Sequence, residues 1–280
     1  MSTIADSLVN LSALPGVLEA TDAAREACTQ LRWHEALRRR MPAAAAESRV
    51  RGARASAALD GVEMDVDVVR DLMRGATAWP KSPDPLEAML QGAVRATAET
   101  EHIRSMVVTA PSQALARVHV AAAGHLLPAS QVGRPRQAGE ISREFSDLGP
   151  APDGLIVGRR LSGIVELLLC ASHAPAVVVA ALVHAEIATV RPFVRGNGLV
   201  ARAMERAVIQ ASGLDPTGVA VAEAGHADAG VAAYLGALAA YGSGSPQGVA
   251  LWITHCAQAI VAGAQEGGRI ADAVLVGRLT

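Results

Sequence analysis

Apolar residues recur at three- and four-residue spacing wherever a period can be read in this chain, and the breaks between such stretches carry helix-ending signals. The pattern predicts helices over residues 19–40, 43–60, 66–74, 86–103 and 110–126. The first is expected to stop before Met41-Pro42, because a residue preceding proline is pushed out of the helical region. Gly61 stands where a helix C-terminus uses glycine, and WPKSPDP at 79–85 reads as a loop. Between Pro128 and Pro152 the periodicity fails. Gly133, Pro135, Gly139, Gly149 and Pro150 crowd a polar stretch there, so a long connection is expected, with room for a short β-hairpin. Helical signals resume over 155–171, over 175–190 with Pro175 in a first-turn position, and over 199–211 before Gly213. A last long helix is expected through Gly263, opened by Ser245 as N-cap and Pro246 at its first position.

Composition sharpens this to an all-α fold. Of 280 residues 51% are apolar but only 2% are aromatic, so the core must be built from Ala, Leu, Val and Ile, which suits closely approaching helices. No repeat of 20–50 residues is visible, and no composition break separates independent domains. The reading is of N-terminal helices over 1–62 and a helical core over 63–280, forming one compact unit. A net charge of −2 recruits neither nucleic acid nor anionic membrane globally. The basic run Arg38-Arg39-Arg40 with Arg49, Arg51 and Arg54 has little aromatic company beyond Trp33, which favours a solvated helical face over a nucleic-acid patch. Cys28, Cys170 and Cys256 are far apart and show no metal or disulfide spacing, so buried reduced thiols are expected. The longest apolar run, residues 174–183, is too short to span a bilayer, and no basic-flanked leader opens the chain. A cytoplasmic protein is the expectation.

The informative segment is RPFVRGNGLVAR, residues 191–202. Pro192 biases Arg191 out of the preceding helix, and Gly196 and Gly198 around Asn197 allow positive φ and close approach of a ligand to the backbone. A helix beginning near Leu199 would aim unpaired N–H groups and the positive end of its dipole at that loop, which suits an anion and phosphate above all. Arg202, one turn in, is placed to clasp a phosphate, and Arg191 and Arg195 flank the loop. The plainer reading of the same residues is a Gly-Asn-Gly turn with solvated arginines.

The segment resembles a degraded Fic motif, whose pattern is His-x-Phe-x-(Asp/Glu)-Gly-Asn-Gly-Arg-x-x-Arg. It keeps Phe193, Gly196, Asn197, Gly198 and Arg202, and carries Arg191, Arg195 and Leu199 in place of the histidine, the acid and the first arginine. Ser56-Ala57-Ala58-Leu59-Asp60-Gly61 resembles the inhibitory-helix signature, (Ser/Thr)-x-x-x-(Glu/Asp)-(Gly/Asn). The resemblance runs from Ser56 to the end of the last long helix. It implies an all-α Fic-like fold, a target-docking flap in the irregular stretch before Pro152, and a regulatory set Ser56, Asp60 and Gly61 in which Asp60 pairs with Arg202 at hydrogen-bonding distance. The Arg-Pro-Phe and Gly-Asn-Gly-Leu-Val-Ala-Arg pattern is similar to that of a group of actinobacterial proteins.

The reaction this resemblance implies moves a nucleotide monophosphate, commonly AMP from ATP, onto a hydroxyl, and it needs a base, a metal and a phosphate cradle. A guanidinium with pKa above about 12 is no general base near neutral pH, so Arg191 does not replace the histidine. Arg195 puts a cation where a carboxylate would hold Mg²⁺. His184, two turns before Arg191, is expected to be a buried, hydrogen-bonded histidine rather than a substitute base. No catalytic residue and no metal ligand is therefore assigned. The anion- or nucleotide-binding set is Arg191, Phe193, Arg195, Gly196, Asn197, Gly198 and Arg202. The favoured expectation is a catalytically degenerate Fic-like regulatory module that binds an anion, a nucleotide or a protein partner, with no cofactor required and a homodimer left open. The alternative is a nucleotidyl- or phosphate-group transferase with a rewired site.

Overall fold

The computed structural model describes residues 4–278 and is all-helical among them. In chain order the helices are α1 (Ile4–Ser12), α2 (Val17–Arg32), α3 (Leu37–Leu59), α4 (Val66–Met73), α5 (Pro85–Ile103), α6 (Pro111–Ala123), α7 (Gly154–Leu169), α8 (Ala176–Val190), α9 (Asn197–Ala211), α10 (Ala222–Ala229), α11 (Val231–Gly242) and α12 (Pro246–Leu275). Capping explains several starts. Asp84 and Glu87 form a reciprocal capping box on α5, with Pro85 in the first turn, and the Ser245 hydroxyl accepts from Gly248 N–H at 3.1 Å to open α12.

The structure departs from the periodic reading at several places, and α1, α10 and α11 are helices that the reading did not predict. The first predicted helix is broken over residues 33–36, not at proline, and Pro42 lies inside α3. Non-helical torsions at Arg40 (φ −122°, ψ 20°) absorb the clash and missing donor that proline imposes, so the helix kinks and continues. Pro175 caps α8 rather than entering its first turn, and α12 runs twelve residues beyond Gly263. The hairpin allowed for in the connection is not formed. Among the described residues the segment between α6 and α7 holds two 3-10 turns, Ala129–Gln131 and Ser146–Leu148, and no strand. Arginine side chains take the carbonyls that a partner strand would have taken: Arg136 donates to the carbonyls of Arg191 (2.7 Å), Glu140 and Pro152, and Arg134 pairs with Glu140 at 2.7 Å.

The core is built around α8 and α9, which pack on each other and are buried along nearly their whole lengths. Helices α5 and α6 cover one flank of α9, α12 packs against α2, α3, α8, α10 and α11, and α3 meets α5, α9, α10 and α12. One continuous apolar cluster therefore extends from Leu8 and Val17 through Ala53 and Ala57 to Ile270, joining residues before 62 to those after. Small residues let the helices come close: a Cβ on Gly263 would sit 2.6 Å from the Val221 carbonyl. The three cysteines are unpaired, and burial pushes the Cys28 thiol up to about 12. No helix among the described residues is long and apolar enough to cross a membrane.

Candidate functional site

Residues 191–198 form the tight link between α8 and α9. Arg191 ends α8 in the left-handed region (φ 49°), and Gly196 (φ 86°) caps α9, which starts two residues earlier than periodicity predicted. Asn197 and Gly198 are thus the first turn of a helix, where backbone N–H groups lack intrahelical acceptors. The N–H groups of Gly196 and Asn197 form an anion hole, and a carboxylate of the chain itself fills it. Glu144 accepts from Gly196 N–H at 2.6 Å, from Asn197 N–H at 2.7 Å and from the Asn197 side-chain amide at 2.6 Å. Burial, and then the nearby Asp60 charge, push the Glu144 carboxyl above its ordinary range, against the pull of those three donors.

Asn197 is wholly buried and also fixes the loop, taking Phe193 N–H on its Oδ1 and donating to the Phe193 carbonyl, both at 2.9 Å. Phe193 stacks on His119 of α6 with ring centroids 3.8 Å apart. His119 in turn spans two segments, with Nε2 3.1 Å from the Arg195 carbonyl and Nδ1 accepting Gly133 N–H at 2.9 Å. Those roles assign the neutral ring protonated at Nε2, and burial holds its pKa down to about 4.

Arg202 meets the end of α3. Its Nε donates to Ser56 Oγ at 2.8 Å, and one terminal nitrogen donates to the Ser56 carbonyl at 3.0 Å and to Asp60 Oδ2 at 2.5 Å. The other terminal nitrogen, Nη1, is buried without a hydrogen-bond partner. Gly198 lies directly over this pair, since a Cβ there would stand 3.0 Å from Asp60 Oδ1 and 3.1 Å from Arg202 Nη1. Gly61, at φ 84°, turns the chain out of α3 immediately after Asp60. Asp60, Arg202, Gly198 and the Glu144-filled hole consequently form one continuous polar seam between α3 and α9.

The two replacement arginines go elsewhere. Arg191 is 3% exposed and donates to the carbonyls of Glu144, Phe145, Gly149, Pro150 and Thr189, so its guanidinium holds the connection bearing Glu144 instead of facing the hole. Burial and the neighbouring Arg136 lower its pKa from the usual guanidinium value. It also borders a surface cleft of about 620 Å³ lined by Arg160, Glu186 and Tyr241. Arg195 is exposed. His184 is fully buried between Glu205 and Tyr234, at 2.6 and 2.7 Å, as expected of a core histidine.

Sequence reasoning missed Glu144, His119 and the partners of His184. Glu144 lies in an aperiodic stretch, and no spacing links it to residue 197. Nothing in the sequence singles it out from Glu140 and Asp147 in the same segment.

No family model matches this sequence, and no curated protein matches it. The three-dimensional form has counterparts. A Fic family protein from Desulfovibrio desulfuricans superposes with a TM-score of 0.70 at 19% identity, covering 95% of this chain and 76% of its own. Fic-1 from C. elegans gives 0.69 at 18%, over 93% and 73% of the two chains. A Fic domain containing signaling protein from Bacteroides thetaiotaomicron gives 0.66 at 12%, over 93% and 99%.

Proposed function

From a chain that carries the Fic fold, we propose a non-transferring member of that architecture, a regulatory module whose anion cradle binds a phosphate-bearing ligand once its internal carboxylate is displaced. The observation that carries the reading is Glu144, seated on the Gly196 and Asn197 N–H groups: the first turn of α9 holds an oxyanion with three donors at 2.6–2.7 Å. A phosphate oxygen asks for the same donors. The cradle is Gly196, Asn197 and Gly198 with Arg202, bordered by Phe193 and by exposed Arg195, and Ser56 and Asp60 occupy the arginine that would otherwise reach the ligand. Arg191 keeps the Glu144 connection in place. Asp60 beside Glu144 raises the free energy of the closed state, which supports an equilibrium that a more highly charged ligand can tip.

The transfer chemistry that the motif resemblance implies has no base at 191 and no metal-holding acid at 195. Arg191 is engaged by carbonyls, and the ring of His184 is sequestered by Glu205 and Tyr234.

Thermal unfolding with inorganic phosphate and with ATP, each with and without Mg²⁺, tests the cradle. The Glu144→Ala variant is expected to gain stability with ligand, by about 2.7 kcal/mol at one hundred times its Kd, while the parent gains far less and Mg²⁺ makes no difference. Equal responses from the two proteins overturn the gate. Asp60→Ala, which frees Arg202, is expected to tighten nucleotide binding further, and an unchanged affinity removes Asp60 from the device. Incubation with labelled ATP and cell lysate is expected to give no labelling beyond that of the lysate alone. Incorporation that disappears in Asn197→Ala and Arg202→Ala would establish a transferase instead.

A further inference from the structure

Beneath the cradle lies a second cluster of polar groups that the first does not use. His184 of α8, Glu205 of α9 and His226 of α10 are each at most 1% exposed, and one donor atom from each lies within 4.8 Å of the other two. His184 Nδ1 and His226 Nε2 both contact the same carboxylate oxygen, Glu205 Oε2, at 2.6 and 2.9 Å. The other oxygen, Oε1, is buried and has no hydrogen-bond partner. A buried carboxylate oxygen left without a partner is costly, and its presence beside two converging imidazoles needs an explanation.

We propose that His184, Glu205 and His226 form a binding site for one divalent transition-metal ion of the zinc class, which ties together α8, α9 and α10. Two imidazole nitrogens and one carboxylate are a donor set suited to such an ion, with a remaining position open to water or to the second carboxylate oxygen. A tetrahedral ion with bonds of about 2.1 Å spaces its donors about 3.4 Å apart, so Glu205 Oε2 has to withdraw by about 0.8 Å from His184 Nδ1 and about 0.5 Å from His226 Nε2, and Oε1 gains a partner where it takes the remaining position. The outer contacts fit as well. His184 Nε2 lies 2.7 Å from the Tyr234 hydroxyl, and His226 Nδ1 lies 3.1 Å from His255 Nε2, so each ligating ring has a group to receive the N–H opposite its metal-binding nitrogen. Without metal the hydrogen bonds assign the reverse tautomers, His184 protonated at Nδ1 and His226 at Nε2. Binding exchanges one neutral tautomer for the other in each ring with no net release of protons. Glu205 offsets one of the ion's two positive charges, a hydroxide in the open fourth position would offset the other, and the nearby Arg202 is matched by Asp60. His255, the outer partner of His226, is itself partly exposed.

The test strips the purified full chain with a chelator, measures the metal released, and titrates the stripped protein with Co²⁺ and Zn²⁺. Visible Co²⁺ absorption is expected to saturate at one equivalent, and Zn²⁺ is expected to raise the melting temperature. Zn²⁺ should also move the ring ¹⁵N signals of His184 and His226 to the opposite tautomer pattern. Tyr234→Phe, which keeps the ring and removes only the outer partner, should weaken binding about 10- to 100-fold. Glu205→Gln should abolish it. No saturable Co²⁺ spectrum and unmoved histidine signals in the parent protein overturn the proposal. So does binding that persists unchanged in Glu205→Gln, which places the ion elsewhere. The parent titration and NMR decide the matter even if Glu205→Gln does not fold.

Discussion

Asp60 and Arg202 show how one side chain is held by its surroundings. The Arg202 side chain is fully buried and its charge is answered by a single carboxylate that is 21% exposed. Removing one partner of such a pair leaves the other uncompensated, which costs more than the pair contributes when intact. Asp60→Ala is expected to lower the unfolding free energy by about 2–4 kcal/mol, a little under the figure for a wholly buried pair because water reaches Asp60; urea denaturation measures it. His119 works by neutrality. Protonating Nδ1 would turn an acceptor toward the Gly133 N–H into a competing donor. The native pKa of about 4 lies below the unfolded value near 6.5, as it does for His184. The sign follows: the unfolded chain takes up protons that the native state refuses, so stability is full above pH 6.5 and declines as pH falls toward 4. Each of these two buried rings contributes a slope of up to about 1.4 kcal/mol per pH unit in that window. Melting temperatures from pH 8 to pH 4 should be level down to about 6.5 and then fall, and His119→Phe should flatten part of the decline.

At the scale of elements, the decisive contacts are those that sequence neighbours cannot make. The connection between α6 and α7 reaches 52 residues forward to place Glu144 on the start of α9, and it is held there by Arg136 and Arg191, whose guanidiniums take backbone carbonyls. Arg191→Ala is therefore expected to loosen this connection rather than to abolish ligand binding, seen as faster amide exchange over residues 140–150. Helix pairs depend on glycine in the same way. A Cβ at Gly225 would run into the Ala259 backbone, and one at Gly52 would meet the buried Arg206–Glu223 ion pair. Gly225→Ala should cost about 1–3 kcal/mol by forcing α10 away from α12, measured as a lower denaturation midpoint at unchanged slope. Periodicity found most of these helices because their apolar faces repeat. It missed the short α1, it missed α10 and α11, where Ala and Gly run around all sides and leave no stripe to read, and it placed a stop at Pro42 that a kink at Arg40 makes unnecessary.

For the whole molecule, the scarcity of aromatic residues has a spatial counterpart. Trp252 and Tyr234 are both spent on one place, the walls around His184 and His226, with Trp252 Nε1 donating to the Ala181 carbonyl at 2.7 Å. Apart from Phe193, the rest of the buried core is aliphatic, packed through small residues at helix crossings. Two polar assemblies, the seam from Asp60 to Glu144 and the His–Glu cluster, adjoin on one face of α9, where Arg202 and Glu205 stand three residues apart and the Arg202 charge acts on His184. The segment most plainly chemical in the sequence thus sits on the best-buried helix of the fold. The basic run near residue 40 has a different fate: Arg40 donates to the Val274 carbonyl, Arg49 and Arg51 pair with acids, and Arg54 donates to the Met64 carbonyl.

The sequence by itself determined most of the helices, the glycine-flanked turn before α9, the absence of a base and an acid at 191 and 195, and, through the motif resemblance, the pairing of Asp60 with Arg202. Each of these is written in local periodicity, backbone permissiveness, side-chain chemistry or a motif of fixed spacing. Only the tertiary structure decided which anion sits on the α9 amides, where the two arginines point, and that His184, Glu205 and His226 converge. Those contacts join segments 21–52 residues apart, and their energy comes from burial and directional hydrogen bonding, which exist only after the helices have packed.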